Sequence, residues 1–365
     1  PHFGLINCDD CHGGDPCELE DRELAHAGMV VDPSDVAGEN ACARCHEDIA
    51  ANYGESLHLN LWGEQNAVAI RAGHESLGSC PQQYQDGFKG ECGACHATCG
   101  DCHISRPDSA GKGFIKSHQF QKTPNQINQC MACHGSRIAH DYKGDDEEGR
   151  SPDVHFAKGK KCTFCHTGTE MHAAASHVSD RYHFEHAPKC EDCHNIPNEN
   201  VYHTTHWDDL SCHVCHAQPY NNCAACHVDH AWQHDEDYQE NNPAEDFKIG
   251  LNPFADRRQK WVTLRHIPVA PETYRNWGID EDAPSFDELP TWKFTTPHSI
   301  RRWTERTEAA DGGGCASNCH LGDPFGSQEN RGLYLFREYV EENWPNEVGA
   351  NYGVFPEGAL PAGWE

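Results

Sequence analysis

Over 365 residues, 58 Asp and Glu stand against 28 Lys and Arg, a formal charge of -30, and 37% of the residues are hydrophobic. So acidic a chain is repelled by nucleic acid and by anionic lipid, and no stretch approaches the roughly 18 apolar residues of a membrane span. With 32 Gly and 21 Pro spread along it, the sequence predicts a mainly irregular fold with short α-helices and too little apolar material for a conventional core, so something other than side chains must fill the interior.

The 22 cysteines and 28 histidines indicate what that is. From the N-terminus, Cys-x-x-Cys-His is written nine times: Cys8, Cys11 and His12; Cys42, Cys45 and His46; Cys92, Cys95 and His96; Cys99, Cys102 and His103; Cys130, Cys133 and His134; Cys162, Cys165 and His166; Cys190, Cys193 and His194; Cys212, Cys215 and His216; Cys223, Cys226 and His227. A tenth, Cys315-Ala-Ser-Asn-Cys319-His320, has one extra residue between its thiols. On one helical turn, residues i, i+3 and i+4 share a face. Two thiols there can bond the edge of a haem while the imidazole reaches its iron. Zinc sites also use Cys-x-x-Cys, but they do not need His directly after the second Cys. Ten such placements, in a chain where His is 28 of 365 residues, point to ten covalently attached c-type haems.

The elements predicted around these motifs are short. Cys42 to Tyr53 reads as a helix that Gly54 can end. The motifs from Cys92 to His103, and from Cys212 to His227, are so closely spaced that they are expected to hold stacked haem pairs. Asp145–Glu148 and Asp235–Asp237 read as solvated acidic loops. Residues 238–314 carry no motif but are rich in Trp, including Trp261, Trp277, Trp292 and Trp303, and read as a haem-free wrapping arm. Leu333, Phe336, Val340 and Trp344 recur at helical spacing as a packing face. The resulting division is 1–110 with four motifs, 111–237 with five, the arm 238–314, and 315–365 with the last haem and a helix.

Two cysteines, Cys17 and Cys80, lie outside the motifs. Haem attachment takes place outside the cytoplasm, where free thiols oxidise, so a disulfide between them is expected. Pro1 to Ile6 lack the basic and apolar regions of a signal peptide, and the chain reads as already processed and soluble. Eighteen histidines remain to supply the far side of each iron, against three Met, so ligation by two imidazoles and low potentials are expected. Among the spare histidines, His213, His177, His230 and His234 rank low, and His186 competes with His183.

Three stretches resemble multihaem cytochromes of bacteria and archaea that exchange electrons with minerals or other cells: Cys92 to His118 with its Cys-His-Ala-Thr-Cys-Gly-Asp-Cys-His, Asp153 to Cys226 with Asp-Val-His-Phe and Lys-Cys-Glu-Asp-Cys-His, and Trp261 to His298. Tyr53 to His58, ending Ser-Leu-His, is similar to distal-ligand segments in the wider group that includes octahaem reductases. The resemblance implies a multihaem cytochrome c wrapped around closely packed haems, with His58, His118, His155, His172, His183, His266 and His298 as distal ligands, and His26, His203 and His206 completing the ten. It further implies an electron conduit without catalytic residues, working outside the cell or at its surface, with other redox proteins or extracellular acceptors as partners. Pro1-His2-Phe3 resembles the His-bearing arm of cytochrome filaments, which implies a homopolymer, a conductive filament. The competing readings are a monomeric periplasmic carrier and a nitrite, hydroxylamine or tetrathionate reductase. No motif replaces its proximal His by Lys, which weighs against the reductase.

Overall fold

The computed structural model describes residues 4, 6–35, 40–93, 97–145, 149–175, 178, 181–221, 244–245, 247–254, 259–267, 269–308, 315–322 and 326–357. Helices among them are short, the longest being Trp62–Arg71 and Gln82–Glu91 with 10 residues each. Capping residues explain why motifs become single turns. Thr98 Oγ1 accepts the Asp101 N–H at 3.3 Å and Asp101 Oδ2 accepts the Thr98 N–H at 2.9 Å, a reciprocal box that closes Cys99–His103. Asp10 accepts the Asn7 N–H at 2.7 Å ahead of Cys8–His12, and Asp192 accepts the Lys189 N–H at 2.8 Å ahead of Cys190. Asp153, Thr167 and Asn200 open Val154–Ala157, Gly168–Met171 and Val201–His206 in the same way. Such caps satisfy donors that a one-turn helix leaves open.

Cys42 to Tyr53 is not the single helix that its sequence suggests. Asn40 Oδ1 accepts the Cys42 N–H at 3.0 Å and starts a 3-10 turn, Ala41–Arg44, and an α-helix begins only after His46, at Glu47, and ends at Gly54.

The chain gathers into two compact units that interleave in sequence: residues 1–66, 86–135 and 161–188 form one, and 67–85, 136–160 and 189–365 the other. The boundary expected at 110 thus falls inside the first unit, and those at 237 and 314 inside the second. Motifs beginning at Cys8, Cys42, Cys99, Cys130 and Cys162 belong to the first unit; those at Cys190, Cys212 and Cys315 belong to the second. Apolar packing in the first unit is thin among the described residues, with Ala175, Val178 and Phe184 buried against Leu57. A cofactor interior fits that scarcity.

The second unit holds the sheets. Strands β1 (Tyr220–Asn221) and β2 (Ala244–Glu245) pair antiparallel, and β3 (Lys248–Leu251), β4 (Trp261–His266) and β5 (Trp292–Phe294) form an antiparallel sheet in the order β3-β4-β5. All of β4 is buried, because Trp-Val-Thr-Leu is apolar or β-branched on both faces. Trp261 and Ile249 pack with Val214, Tyr220, Phe247, Leu321 and Tyr334. Gly250 permits this closeness, since a Cβ there would meet Val354 O at 2.8 Å. Residues expected to form a wrapping arm therefore supply the central strand of this unit's core. Of the C-terminal apolar series, Phe336 is buried at the start of the helix Arg337–Asn343 and Val340 in its middle, whereas Leu333 closes a separate 3-10 turn. No helix among the described residues is long and apolar enough to cross a membrane.

Candidate metal centres

Six histidine pairs face one another at nearly one separation. Ring centroids lie 6.1 Å apart for His12 and His118, 6.2 Å for His58 and His134, 6.1 Å for His103 and His172, 6.0 Å for His155 and His194, 6.2 Å for His203 and His216, and 6.1 Å for His206 and His320. Each pair joins one motif histidine to one outside every motif. The angles between the rings run from 21° to 83°. Rings packed on each other vary in separation between about 4.5 and 7 Å, and packing ties angle to distance. Here the distance is constant and the angle is free, as when both rings point a nitrogen at one atom midway. Two metal–imidazole bonds of about 2 Å, plus the ring radii, give a centroid separation of about 6 Å. The arrangement fits haem iron between two histidines.

The other ring nitrogen is engaged, which fixes the tautomer. His12 Nδ1–H donates to Val30 O at 2.8 Å, His103 Nδ1–H to Gln121 O at 2.7 Å and His216 Nδ1–H to Arg301 O at 3.1 Å. A carbonyl only accepts, so Nε2 carries the lone pair that a metal needs. Burial lowers the pKa of His58, His172, His206, His216 and His320, favouring the neutral, ligating form. His166 runs the other way: burial lowers its pKa, but the hydrogen bond and charge of Glu170 outweigh it, and the net shift is upward.

Local structure distributes the ligands. Helix Val201–His206 presents His203 to His216 and His206 to His320, so residues at i and i+3 on one turn serve two motifs. Turn Gly168–Met171 carries Glu170 toward His166 and ends at His172, which faces His103. Thiols also meet between motifs. Cys42 shares a hydrogen bond with Cys99, Cys130 with Cys162 and Cys190 with Cys212, raising the first thiol of each pair. These are first cysteines of different motifs; the pairs expected at Cys92–His103 and Cys212–His227 include Cys95, His96 and Cys223 to His227, which lie outside the described residues. Cys190, Cys212 and Glu191 place donor atoms within 4.8 Å of one another, but a structural zinc needs a fourth ligand.

His266 is placed otherwise than the resemblance implies. It is fully buried between Trp292, at 5.1 Å, and Trp344, at 4.5 Å, and its Nε2 meets Glu347 Oε2 at 2.8 Å. The nitrogen required for iron is committed to a carboxylate, which removes His266 from the distal set. His26 is exposed, with Nδ1–H donated to Arg22 O at 2.8 Å. His183 is exposed in the turn Arg181–His183, His298 is half-buried in the loop after β5, and His46 is exposed at the start of Glu47–Gly54. His2, His177, His230 and His234 lie outside the described residues. Burial, with His216 adding to it, pushes the pKa of His213 down to about 4.

Cys17 is exposed in the first unit, and Cys80 is buried in the second against Tyr84 and Ala69 with Sγ 3.5 Å from Ser76 O. Alkylation of the native, unreduced protein should label Cys17 quickly and Cys80 only after unfolding; mass spectrometry finding the two linked would refute this placement. Sequence reasoning missed three carboxylates, Asp153, Glu170 and Glu347. Asp153 two residues before His155 and Glu170 four after His166 are legible spacings, since both reach back to the ring; Glu347 has no such signal. Comparison with protein-family models, with curated proteins and with solved structures finds no match for this chain.

Proposed function

We propose that the chain is a multihaem c-type cytochrome that holds ten haems covalently and carries electrons along them. The observation that carries this is the set of six histidine pairs at 6.0 to 6.2 Å, each with one member from a Cys-x-x-Cys-His type motif. Bound haem supplies reversible one-electron chemistry, at low potential under two imidazoles. The chain's own residues would hold the group: the paired cysteines would bond each haem covalently, the two histidines of each of the six pairs would ligate its iron through Nε2, and the carbonyls of Val30, Gln121 and Arg301 hold the rings of His12, His103 and His216 in place. Iron held by two histidines at six motifs would offer a substrate no place to bind, which supports conduction over catalysis. The shared helix Val201–His206 and the meeting thiols Cys42 and Cys99, Cys130 and Cys162, and Cys190 and Cys212 bring motifs side by side within each unit, as short electron steps require.

Export follows from covalent haem attachment, and the partners on this reading are other redox proteins or an extracellular acceptor. Polymerisation through the His2 arm belongs to the same proposal and is tested by imaging purified material for filaments. The haem reading is tested directly: a pyridine haemochrome assay should return ten haems per chain, electron paramagnetic resonance of the oxidised protein should show low-spin signals only, and carbon monoxide should leave the visible spectrum of the reduced protein unchanged. Nine haems or fewer would remove the Cys315–His320 motif, and a high-spin haem binding carbon monoxide or nitrite would favour the reductase.

A further inference from the structure

Among the described residues, five candidate ligand histidines divide by the kind of group that their Nδ1 meets. His12, His103 and His216 donate Nδ1–H to neutral backbone carbonyls of Val30, Gln121 and Arg301. His166 and His155 donate to carboxylates instead. In the first unit, His166 Nδ1 lies 3.0 Å from Glu170 Oε1 and 3.1 Å from Oε2, and Glu170 is 9% exposed. In the second, His155 Nδ1 lies 2.9 Å from Asp153 Oδ1, and Asp153 is 2% exposed. Both carboxylates are built in. Glu170 sits one helical turn after its histidine, on a turn capped by Thr167. Asp153 also accepts the His155 N–H at 2.6 Å and, through Oδ2, the Ile300 N–H at 2.8 Å.

A carboxylate on Nδ1–H draws the proton away from the ring and makes Nε2 a stronger donor. A negative charge held beside the ligand, in a site with little water to screen it, also favours the iron state of higher positive charge. Both effects stabilise the oxidised form, and a carbonyl dipole does so less.

We infer that Glu170 and Asp153 are potential-setting residues: they hold the haem of the Cys162–His166 motif, and the haem shared by His194 and His155, at more negative potentials than the haems ligated by His12, His103 and His216. The inference rests on the haem reading proposed above. The two sites belong to motifs that are consecutive in the chain, so the conduit is uneven. Electrons reside on the haems with carbonyl-bonded ligands and pass through the two carboxylate-bonded ones without accumulating there.

The test uses the haem-loaded full-length protein and its Glu170→Gln, Glu170→Asp and Asp153→Asn variants. Haem count, low-spin signals and a redox titration in the visible α-band are read for each. Glu170→Gln keeps shape and hydrogen bonding but removes the charge; one component in ten should move to a more positive potential, with ten haems and every low-spin signal retained. Glu170→Asp keeps the charge and should stay closer to the wild-type curve. Asp153→Asn should move a different single component in the same direction. Titration curves that superimpose on wild type, or a move to more negative potential, would overturn the inference while leaving the haem reading intact. Loss of a haem from both Glu170→Gln and Glu170→Asp would overturn it in favour of a purely structural role. A wild-type chain without covalent haem would instead remove the reading beneath it.

Discussion

On the proposed haem reading, replacing His155 by Ala should convert one of the ten haems from low-spin to high-spin and leave the other nine as they were. His155 stands opposite His194 with ring centroids 6.0 Å apart, and its ring is steered by Asp153 through both the backbone N–H and Nδ1. Truncation to Ala removes the ligating nitrogen and the ring N–H that Asp153 Oδ1 accepts, while Asp153 keeps the backbone N–H groups of residue 155 and Ile300, and no side chain of that turn is a metal ligand of comparable strength. The freed position binds water weakly, the ligand field drops, and the potential of that haem rises because one strong donor is gone. His206→Ala should do the same to the His320 haem alone, although His203, one turn earlier on the same helix, remains in place for His216. Electron paramagnetic resonance with added imidazole provides the check: a new high-spin signal worth one haem should appear and should collapse when imidazole refills the site. His186→Ala, on an exposed side chain beside Glu185, should change nothing. A His155→Ala spectrum identical to wild type would take His155 out of the ligand set.

Replacing Glu347 by Ala should cost about 3–5 kcal/mol of stability, the range for removing one partner of a buried charged hydrogen-bond pair. Glu347 accepts from His266 Nε2–H at 2.8 Å and from the Thr291 hydroxyl. Asn351 closes the network, donating to Thr291 Oγ1 at 2.7 Å and to Glu347 O at 2.9 Å while its own Oδ1 accepts the Trp292 N–H at 2.9 Å. His266, Thr291, Trp292 and Asn351 are all at 0% exposure, so no water compensates for a lost partner. The network links β4 and β5 to the turns after Arg337–Asn343. Chemical denaturation followed by far-ultraviolet circular dichroism measures the loss. The haem spectra of Glu347→Ala and His266→Gln, recorded under folding conditions, should show all ten haems low-spin, because His266 ligates none of them. A high-spin haem in His266→Gln would return it to the ligand set, and a stability within about 0.5 kcal/mol of wild type would show that the network contributes little.

What was legible in the sequence was whatever one or two turns of chain decide. The Cys-x-x-Cys-His spacing places thiols and imidazole on one helical face; this is a local rule, and the turns at Cys8–His12 and Cys99–His103 follow it. Spare histidines in number were visible too, and the resemblance selected His58, His118, His155, His172, His203 and His206, all of which face a motif histidine. It also selected His266, because a histidine in a Trp-rich segment looks the same whether its Nε2 meets iron or a carboxylate from residue 347. The break at His46 was hidden for a related reason: a 3-10 turn and an α-helical turn differ by one hydrogen-bond register, which Asn40 decides.

By itself the sequence determined where two thiols and an imidazole come together, since each Cys-x-x-Cys-His motif sets that within five or six consecutive residues. Only the tertiary structure decided which imidazole answers which: His118 facing His12, His172 facing His103 and one helix serving both His216 and His320 depend on how loops of unrelated length return through space. The same holds for the interleaving of the two units and for the burial of β4, where Trp261–His266 of the expected arm lie in a core. Distant pairing is selected by the free energy of the whole packed chain, and no local spacing encodes it.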